Sequence, residues 1–212
     1  MAETQKSTGG RQERRKAATR AKIQVAAEQL FSEKGYTETS IEDISALADV
    51  AMRTIYTHFP SKASIMLSYF DGWMDAFITE VLKRPTDEPI IETVHASLTA
   101  ITEAGWIDRD ENEDVRIHPL VEYLVDGPPD IAGHLMQRWM QELEHLTTEI
   151  AERGSFPAGS LEPRARAVAI FTAWVASIST ARGREFGHSL PEGSTGNSLG
   201  LDMLALITGG TL

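Results

Sequence analysis

Side chains that suit contacts with a nucleic acid are concentrated in one stretch of the 212-residue sequence, residues 39–62. Arg53 carries a guanidinium that can donate two parallel hydrogen bonds to guanine in the major groove of DNA. Met52 and Thr57 can contact thymine methyl groups or other base edges. Short hydroxyl side chains near helix starts suit phosphate oxygens, and three occur here: Thr39, Ser40 and Thr54. The stretch therefore contains residue types for both base and phosphate contacts.

The same stretch has the pattern of two short helices joined by a tight turn. Thr39 and Glu42 have the spacing of a capping box, which predicts a helix over residues 39–48. Apolar residues of this helix recur at the spacing of one helix face, at Ile41, Ile44 and Leu47. A further short helix is predicted over 52–58, and both would pack on a preceding helix. This is the organisation of a helix-turn-helix, whose second helix reads the major groove.

A run of residues around this pattern points to one family. The run comprises Phe31-Ser32-Glu33-Lys34-Gly35-Tyr36, Thr39-Ser40, Ile44, Val50, Ile55-Tyr56-Thr57-His58-Phe59 and Ser61-Lys62. Over residues 1–65 the chain closely resembles the N-terminal DNA-binding domain of the tetracycline-repressor (TetR) family. The resemblance implies that the third helix enters the major groove and that three side chains hold phosphates: Tyr56, His58 and Lys62.

Two positions depart from the pattern of this family. The turn usually carries glycine where this chain has Asp49, and a Ser or Thr usually precedes the third helix where it has Ala51. Aspartate tolerates the left-handed backbone region better than most residues, and the loss of an N-cap hydroxyl costs about 1 kcal/mol. We expect the Asp49 side chain to cap the third helix instead. An Asp49 in left-handed conformation with its side chain in solvent would contradict this hypothesis.

The distribution of charge agrees with a nucleic-acid contact at one end of the chain. The formal net charge is −11, which by itself disfavours binding to phosphates. Residues 1–62 nevertheless contain ten Lys and Arg against eight Asp and Glu, so that residues 63–212 hold a net charge of −13. A basic arm over residues 6–16, with Gly9-Gly10, either reaches into a minor groove or is a disordered tail.

Apolar residues recur at helical spacing along nearly the whole chain, and no run of alternating β-branched residues is bounded by turn residues. We therefore predict an all-α fold of nine helices, over 18–34, 39–48, 52–58, 61–83, 90–104, 115–125, 130–153, 163–186 and 198–207. Gly35 is expected to cap the first helix in left-handed conformation. Two domains are predicted: residues 1–62, an N-terminal arm and three-helix DNA-binding domain, and residues 63–212, a helical domain for effector binding and dimerisation.

Aromatic and methionine side chains cluster in the second domain, where most would ordinarily form the core. The resemblance to the TetR family implies an effector cavity enclosed by the fourth to seventh helices, and adaptable apolar side chains suit a small, largely apolar ligand. The candidate lining residues are Phe70, Trp73, Phe77, Trp106, Tyr123, Met136, Trp139 and Met140.

The last two predicted helices are more apolar than exposed helices should be, so they need a partner surface. By resemblance they pair with their copies in a homodimer, which sets two recognition helices about one turn of DNA apart. The candidate interface residues are Trp174, Val175, Ile178, Leu201 and Leu204. The operator is then expected to be palindromic, and an effector would change DNA affinity through the spacing of the two heads.

Two other classes of protein remain open at this stage. One is a di-iron carboxylate enzyme, because three Glu–His pairs have the i, i+3 spacing of such helical bundles: Glu92 with His95, Glu142 with His145, and Glu185 with His188, with Glu80 and Glu122 as further carboxylates. The other is a helical interaction protein without DNA affinity.

The absence of cysteine and of long apolar segments excludes further classes of protein. The absence of cysteine excludes disulfides and thiolate metal ligands, and no segment reads as a secretory signal or a membrane span. We expect a cytoplasmic, ligand-responsive transcriptional regulator of the repressor type, without enzymatic activity, cofactor or metal. Its expected partners are double-stranded operator DNA, a second copy of itself and a small-molecule effector, and not a membrane.

Overall fold

The structure, a computed structural model, describes residues 3–106, 127–185 and 196–209. Within these residues every regular element is an α-helix, and there are nine of them. The chain divides into two compact units, residues 1–70 and residues 71–212. The prediction of an all-α fold is therefore confirmed. No helix of the described part is both long enough and apolar enough to cross a membrane.

The first unit contains a long helix, α1 (Glu3–Lys34), and three short ones, α2 (Ile41–Leu47), α3 (Met52–His58) and α4 (Lys62–Met66). Its core is a cluster of buried apolar side chains from all four helices: Ile23, Ala26, Ala27, Ile44, Ala48, Ile55, Phe59 and Ile65. Helix α1 begins fifteen residues before the predicted start at Ala18. The basic arm over residues 6–16 is thus part of α1 rather than a disordered tail.

Gly35 ends α1 as the sequence predicts. Its backbone has a positive φ of 84°, which places it in the left-handed region that glycine adopts without steric cost. Its N–H donates to the carbonyl oxygen of Phe31 at 3.0 Å, so one carbonyl of the last turn of α1 is satisfied. The chain then turns towards α2.

The single helix predicted over 61–83 is instead two helices, α4 and α5 (Ser68–Lys83). Ser61 caps α4 through a reciprocal pair of hydrogen bonds with Ser64. Leu67 separates the two helices with φ −93° and ψ 10°, and its side chain is 1 % exposed. The division between the units lies after Phe70 rather than after Lys62, since Ile65 of α4 belongs to the core of the first unit.

The second unit contains most of α5 and four further helices: α6 (Ile90–Glu103), α7 (Pro129–Arg153), α8 (Glu162–Glu185) and α9 (Gly196–Thr208). Helix α9 packs along α8, α8 packs along α7, and α6 contacts both α8 and α9. These bounds lie within two residues of the predicted ones, because proline starts and glycine-rich loops mark them in the sequence. The helix predicted over 115–125 lies outside the described residues.

A polar network joins α5 to α7 inside the second unit. The Nε2 atom of His134 lies 3.1 Å from Oδ2 of Asp71. The guanidinium of Arg138 binds the carboxylates of Asp75 and Glu142, and Glu142 is one of the few buried charged side chains. Burial of the Glu142 carboxylate is tolerable because its charge is paired with that of Arg138.

Candidate nucleic-acid interface

Helix α2 is held in place by a capping box one residue later than predicted. The Oγ of Ser40 accepts a hydrogen bond from the N–H of Asp43 at 3.0 Å, and the Asp43 carboxylate accepts one from the N–H of Ser40 at 3.0 Å. The prediction that Thr39 and Glu42 form this box is therefore wrong. Lys34 donates to the Asp43 carboxylate at 2.6 Å, and this bond, with those from Ser40, holds the pKa of Asp43 well below its ordinary value. The start of α2 is thereby tied to the end of α1.

The turn between α2 and α3 is built on a left-handed residue. Asp49 has φ 49°, and the Oγ of Ser45 donates to the carbonyl oxygen of Val50 at 2.6 Å, closing the turn. The Asp49 side chain is 95 % exposed and lies 3.6 Å from the ammonium of Lys22. No side chain caps α3, whose N-cap is Ala51. The hypothesis that Asp49 caps α3 is therefore wrong, because the left-handed backbone turns its carboxylate into solvent.

Helix α3 has one buried face and one exposed face. Ile55 is completely buried, and Phe59, which follows the helix, is 1 % exposed. On the other side Met52 is 44 % exposed and Tyr56 is 55 % exposed, with exposed Arg53 beside them. Their i, i+1 and i+4 spacing sets the three side chains on a common face. The helix thus presents a guanidinium, a thioether and a phenol to solvent.

Two threonines of α3 are placed differently. Thr57 is exposed, and its hydroxyl donates to the carbonyl oxygen of Arg53 at 2.9 Å, so its methyl group is the part left for an apolar contact. Thr54 is partly buried and its N–H donates to the carbonyl oxygen of Ala51 at 2.8 Å. Both lie on the same short helix as the candidate base reader.

The C-terminal end of α3 is fastened to α1 by Arg20. Its Nη1 donates to the carbonyl oxygen of His58 at 2.8 Å, and its guanidinium carbon lies 4.0 Å from the centre of the Phe59 ring. Partial burial lowers the pKa of His58 below its ordinary value, and the positive charges of Lys16 and Arg20 lower it further. Arg20 is not among the candidate residues of the sequence analysis, because nothing in the linear sequence shows that α1 passes the end of α3.

Lys62 stabilises the turn between α1 and α2. Its ammonium donates to the carbonyl oxygens of Tyr36 at 2.8 Å and Thr39 at 2.9 Å, and lies 4.2 Å from the centre of the Tyr36 ring. An ammonium has three N–H donors, so two are directed at these carbonyls and one remains for another acceptor.

Thr39 does not present its side chain to solvent. The residue is 1 % exposed, and its hydroxyl donates inward to the carbonyl oxygen of Gly35 at 2.8 Å. It fastens the turn after α1 instead of offering a hydroxyl to a ligand, and we leave it out of the proposed contacts below. Its neighbour Ser40 is partly exposed, although its oxygen already accepts the capping hydrogen bond.

Seven of the eight candidate effector-pocket residues lie in the described part of the chain, and these seven fall into three groups. Phe70 and Phe77 are buried, whereas Met136 and Met140 are 53 % and 49 % exposed, so these two methionines lie on the surface of the described part rather than around an enclosed cavity. Three tryptophans pack on neighbours within the second unit. The rings of Trp73 and Phe77 are stacked with their centres 5.6 Å apart, and the rings of Trp139 and Phe171 meet edge-on with their centres 6.0 Å apart. Trp106 lies against Gly72. Tyr123 lies outside the described residues.

The candidate dimer residues also divide. Val175 of α8 is 37 % exposed and Leu201 of α9 is partly exposed, so both can face another chain. Leu204 is completely buried within its own chain, because α9 packs along α8, and we leave it out of the proposed interface. The side chains of Trp174 and Ile178 lie outside the described residues.

The Glu–His pairs do not assemble into a metal site in the part of the chain that the structure describes. No three His, Asp or Glu side chains there are placed to share a metal ion. Glu142 is paired with Arg138 instead, and a cationic partner competes directly with a metal for the carboxylate. Glu122 and His188 lie outside the described residues.

Residues 23–69, from the middle of α1 to the start of α5, match the family model described as "Bacterial regulatory proteins, tetR family". The match spans the helix-turn-helix geometry described above. The first unit is therefore similar to the DNA-binding domain of the TetR family.

Several proteins to which this chain is similar carry the names of transcriptional regulators. TcmR of Streptomyces glaucescens is 26 % identical over 144 residues, which are 68 % of this chain and 64 % of TcmR. EthR of Mycolicibacterium smegmatis is 26 % identical over 65 % of this chain and 63 % of EthR. TtgR of Pseudomonas putida is 41 % identical over 54 residues, 26 % of each chain. The chain therefore spans less than two thirds of the length of each of these relatives.

A solved structure shares the fold of this chain. Thermus thermophilus FadR, a TetR-family transcriptional repressor solved in complex with lauroyl-CoA, aligns with a TM-score of 0.50 over 91 % of this chain and 95 % of FadR. The two sequences are 19 % identical. The alignment supports an N-terminal helix-turn-helix followed by a helical domain.

Proposed function

We propose that this protein is a transcriptional repressor that binds operator DNA through α3 and is released from it by a small effector. The observation that carries the proposal is the two-sided character of α3. Ile55 anchors its inner face without exposure, while Met52 and Tyr56 are about half exposed on the outer face beside Arg53. A recognition helix needs both faces, since it must be held rigidly while its side chains enter the groove.

The exposed side chains divide into base readers and phosphate contacts. Arg53 has the geometry for a bidentate contact with guanine, and Met52 and the methyl group of Thr57 suit thymine. Phosphate contacts are assigned to residues around this group: Ser40, Thr54, Tyr56, His58 and Lys62. For Lys62 the third N–H of the ammonium is the donor concerned, because the other two already bind carbonyls.

A homodimer would account for the exposed aliphatic side chains on the last two helices of the second unit. Val175 of α8 retains 37 % exposure and Leu206 of α9 retains 82 %, which is high for aliphatic side chains so close to a packed helix pair. Covering such groups with a second copy removes apolar surface from water. A two-fold dimer would read a palindromic operator in two adjacent turns of the major groove.

An effector site is assigned to the second unit on the basis of its aromatic side chains. The stacked Trp73 and Phe77 and the pair Trp139 and Phe171 give this unit flat apolar surfaces of the kind that line small-molecule sites. FadR of Thermus thermophilus was solved with lauroyl-CoA, which is in keeping with a largely apolar effector here. Because operator DNA is the proposed partner, the protein is proposed to act in the cytoplasm.

The DNA-binding proposal is tested by a fluorescence-anisotropy titration of the purified protein. The probes are duplexes from the DNA upstream of its own locus, with a shuffled duplex of the same composition as control. We expect at least roughly 10³-fold tighter binding to one upstream duplex at physiological salt. Equal affinity for all duplexes would contradict the proposed function and favour a helical interaction protein without specific DNA binding. Iron bound to the purified protein in metal analysis would favour the di-iron enzyme instead.

The effector proposal has its own measurement. Small apolar and amphipathic compounds are added to the preformed complex with the selected duplex, and a fall in anisotropy identifies release. A ligand shifts this equilibrium only by its difference in affinity for the free and the DNA-bound protein. A compound that binds the protein without changing its DNA affinity would therefore not be the effector.

A further inference from the structure

A cleft in the second unit contains three arginines. It lies where the end of α5, the start of α6, the end of α7 and the body of α8 meet. The guanidinium-bearing residues are Arg84, Arg153 and Arg166, and the apolar walls are formed by Val81, Ile90, Ile150 and Ile170. Residues 63–212 carry a net charge of −13, so a concentration of positive charge at this place runs against the charge of the whole unit.

Arg166 is the residue that requires an explanation. It is the fifth residue of α8 and is 8 % exposed. Its Nη2 donates to the backbone carbonyl oxygen of Glu88. Burial of a guanidinium costs free energy unless its charge is paired and its N–H donors are satisfied. One neutral carbonyl oxygen does not pair the charge and accepts from only one of the donors.

The carboxylate of Glu88 does not supply the missing partner. Its Oε2 accepts hydrogen bonds from Nε of Arg84 at 2.8 Å and from Oγ1 of Thr93 at 2.9 Å, and its Oε1 is bound by Nη2 of Arg84. The Arg84 guanidinium holds the pKa of Glu88 below its usual range. Glu88 therefore supplies one negative charge to the cleft: its hydrogen bonds go to Arg84, and the nearby charge of Arg166 also lowers its pKa.

Arg153 brings a further unpaired charge to the same place. It is exposed in the last turn of α7, and its Nη2 donates to the backbone carbonyl oxygen of Arg84 at 3.0 Å. Among the residues whose side chains the structure describes, neither Arg153 nor Arg166 forms an ion pair with a carboxylate. The three guanidinium groups of the cleft thus exceed the one carboxylate bound there, that of Glu88, by two positive charges.

We propose that this cleft is a binding site for an oxyanion of the phosphate type. A phosphate dianion matches the two uncompensated charges, and guanidinium groups bind such oxygens through parallel, charge-assisted hydrogen bonds. The first turn of α6, which contributes Ile90 and Thr93 to the lining, adds the positive end of a helix dipole. The site lies in the second unit and does not depend on DNA binding.

Calorimetric titration of the full-length protein with inorganic phosphate, at ionic strength held constant with chloride, tests this site. We expect saturable binding that weakens about tenfold in Arg153→Gln, which removes one charged donor, and at least as much in Arg166→Gln. Arg164→Gln is the matched control, because Arg164 lies on the same helix but its exposed guanidinium pairs with Glu144. If Arg166→Gln does not fold, the exposed Arg153 variant still decides the result.

Further titrants define the chemistry of the group. Acetate should bind much more weakly than phosphate, because a monoanion compensates only one of the two charges. Phenyl phosphate separates two sources of the group, since a cleft that takes a phosphorylated molecule binds it more tightly than free phosphate, and one that takes free phosphate does not. The proposal is overturned by phosphate binding no stronger than chloride, by equal affinity for acetate, or by equal losses in Arg153→Gln and Arg164→Gln.

Discussion

Arg20 joins α1 to the end of α3, since its Nη1 donates a hydrogen bond of 2.8 Å to the backbone carbonyl oxygen of His58. The last carbonyls of a helix lack intrahelical donors, and a cation beside them also compensates the negative end of the helix dipole. Helix α3 has seven residues, too few to be stable by themselves in water. Its orientation on the first unit therefore depends on side chains such as Arg20.

Replacement of Arg20 by alanine should destabilise the first unit. The variant loses a charge-assisted hydrogen bond and a cation–π contact with Phe59, which together are worth about 1–3 kcal/mol. Urea denaturation followed by circular dichroism measures the change. Arg14→Ala, at an exposed position of the same helix, should stay within about 0.5 kcal/mol of the wild type. Equal effects of the two substitutions would show that the contact at His58 contributes nothing.

His58 should make the stability of the first unit depend on pH. Burial, Lys16 and Arg20 lower its pKa below the ordinary value of 6.5, so the unfolded chain binds the proton more tightly than the folded chain. The contribution of neutral His58 is therefore complete above pH 6.5 and is lost as the pH falls from there through the lowered pKa of the folded state.

The measurement for His58 is urea denaturation at a series of pH values. Wild type should lose more stability than His58→Gln between neutral and mildly acidic pH, and the difference between the two curves removes the titration of the other groups. Identical curves for the two proteins would mean that the environment of His58 does not disfavour its charged form.

Asp49→Gly should leave the protein as stable as before or more stable. A non-glycine residue in the left-handed region costs roughly 1–2 kcal/mol, against which glycine adds up to about 1 kcal/mol of conformational entropy in the unfolded chain. The exposed ion pair with Lys22 contributes little. Asp49→Val, with a β-branched residue at the same φ of 49°, should be clearly destabilised in thermal unfolding. A valine variant as stable as the glycine variant would contradict the strained turn.

Arg53 and Lys62 should differ in what their loss does to DNA binding. Arg53→Ala should cost about 1–3 kcal/mol on the operator and relax specificity at one base pair, whereas Lys62→Ala should weaken all sequences and reduce the salt slope by about one. Anisotropy titrations on specific and shuffled duplexes at several salt concentrations separate the two effects. Circular dichroism must accompany them, because Lys62 also holds the turn after α1. Equal losses on both duplexes for Arg53→Ala would remove it as a base reader.

Much of the local structure follows directly from the sequence. Gly35, the proline at the start of α7 and the regular spacing of apolar residues determine where most helices begin and end, because these signals act over one or two turns. The run from Phe31 to Lys62 likewise accounts for the resemblance to the DNA-binding domain of the TetR family. Near misses occur where two residues offer the same chemistry, as at the start of α2, where Ser40 with Asp43 forms the box predicted for Thr39 with Glu42.

Only the tertiary structure decides which side chains meet across the chain. The place of Ile65 in the core of the first unit and the complete burial of Leu204 both depend on packing partners distant in sequence. The contact of Arg20 with His58 spans 38 residues, and the three arginines of the cleft come from the loop after α5, from α7 and from α8. No periodicity or local propensity encodes such contacts, because they arise from the summed packing of whole helices rather than from neighbouring residues.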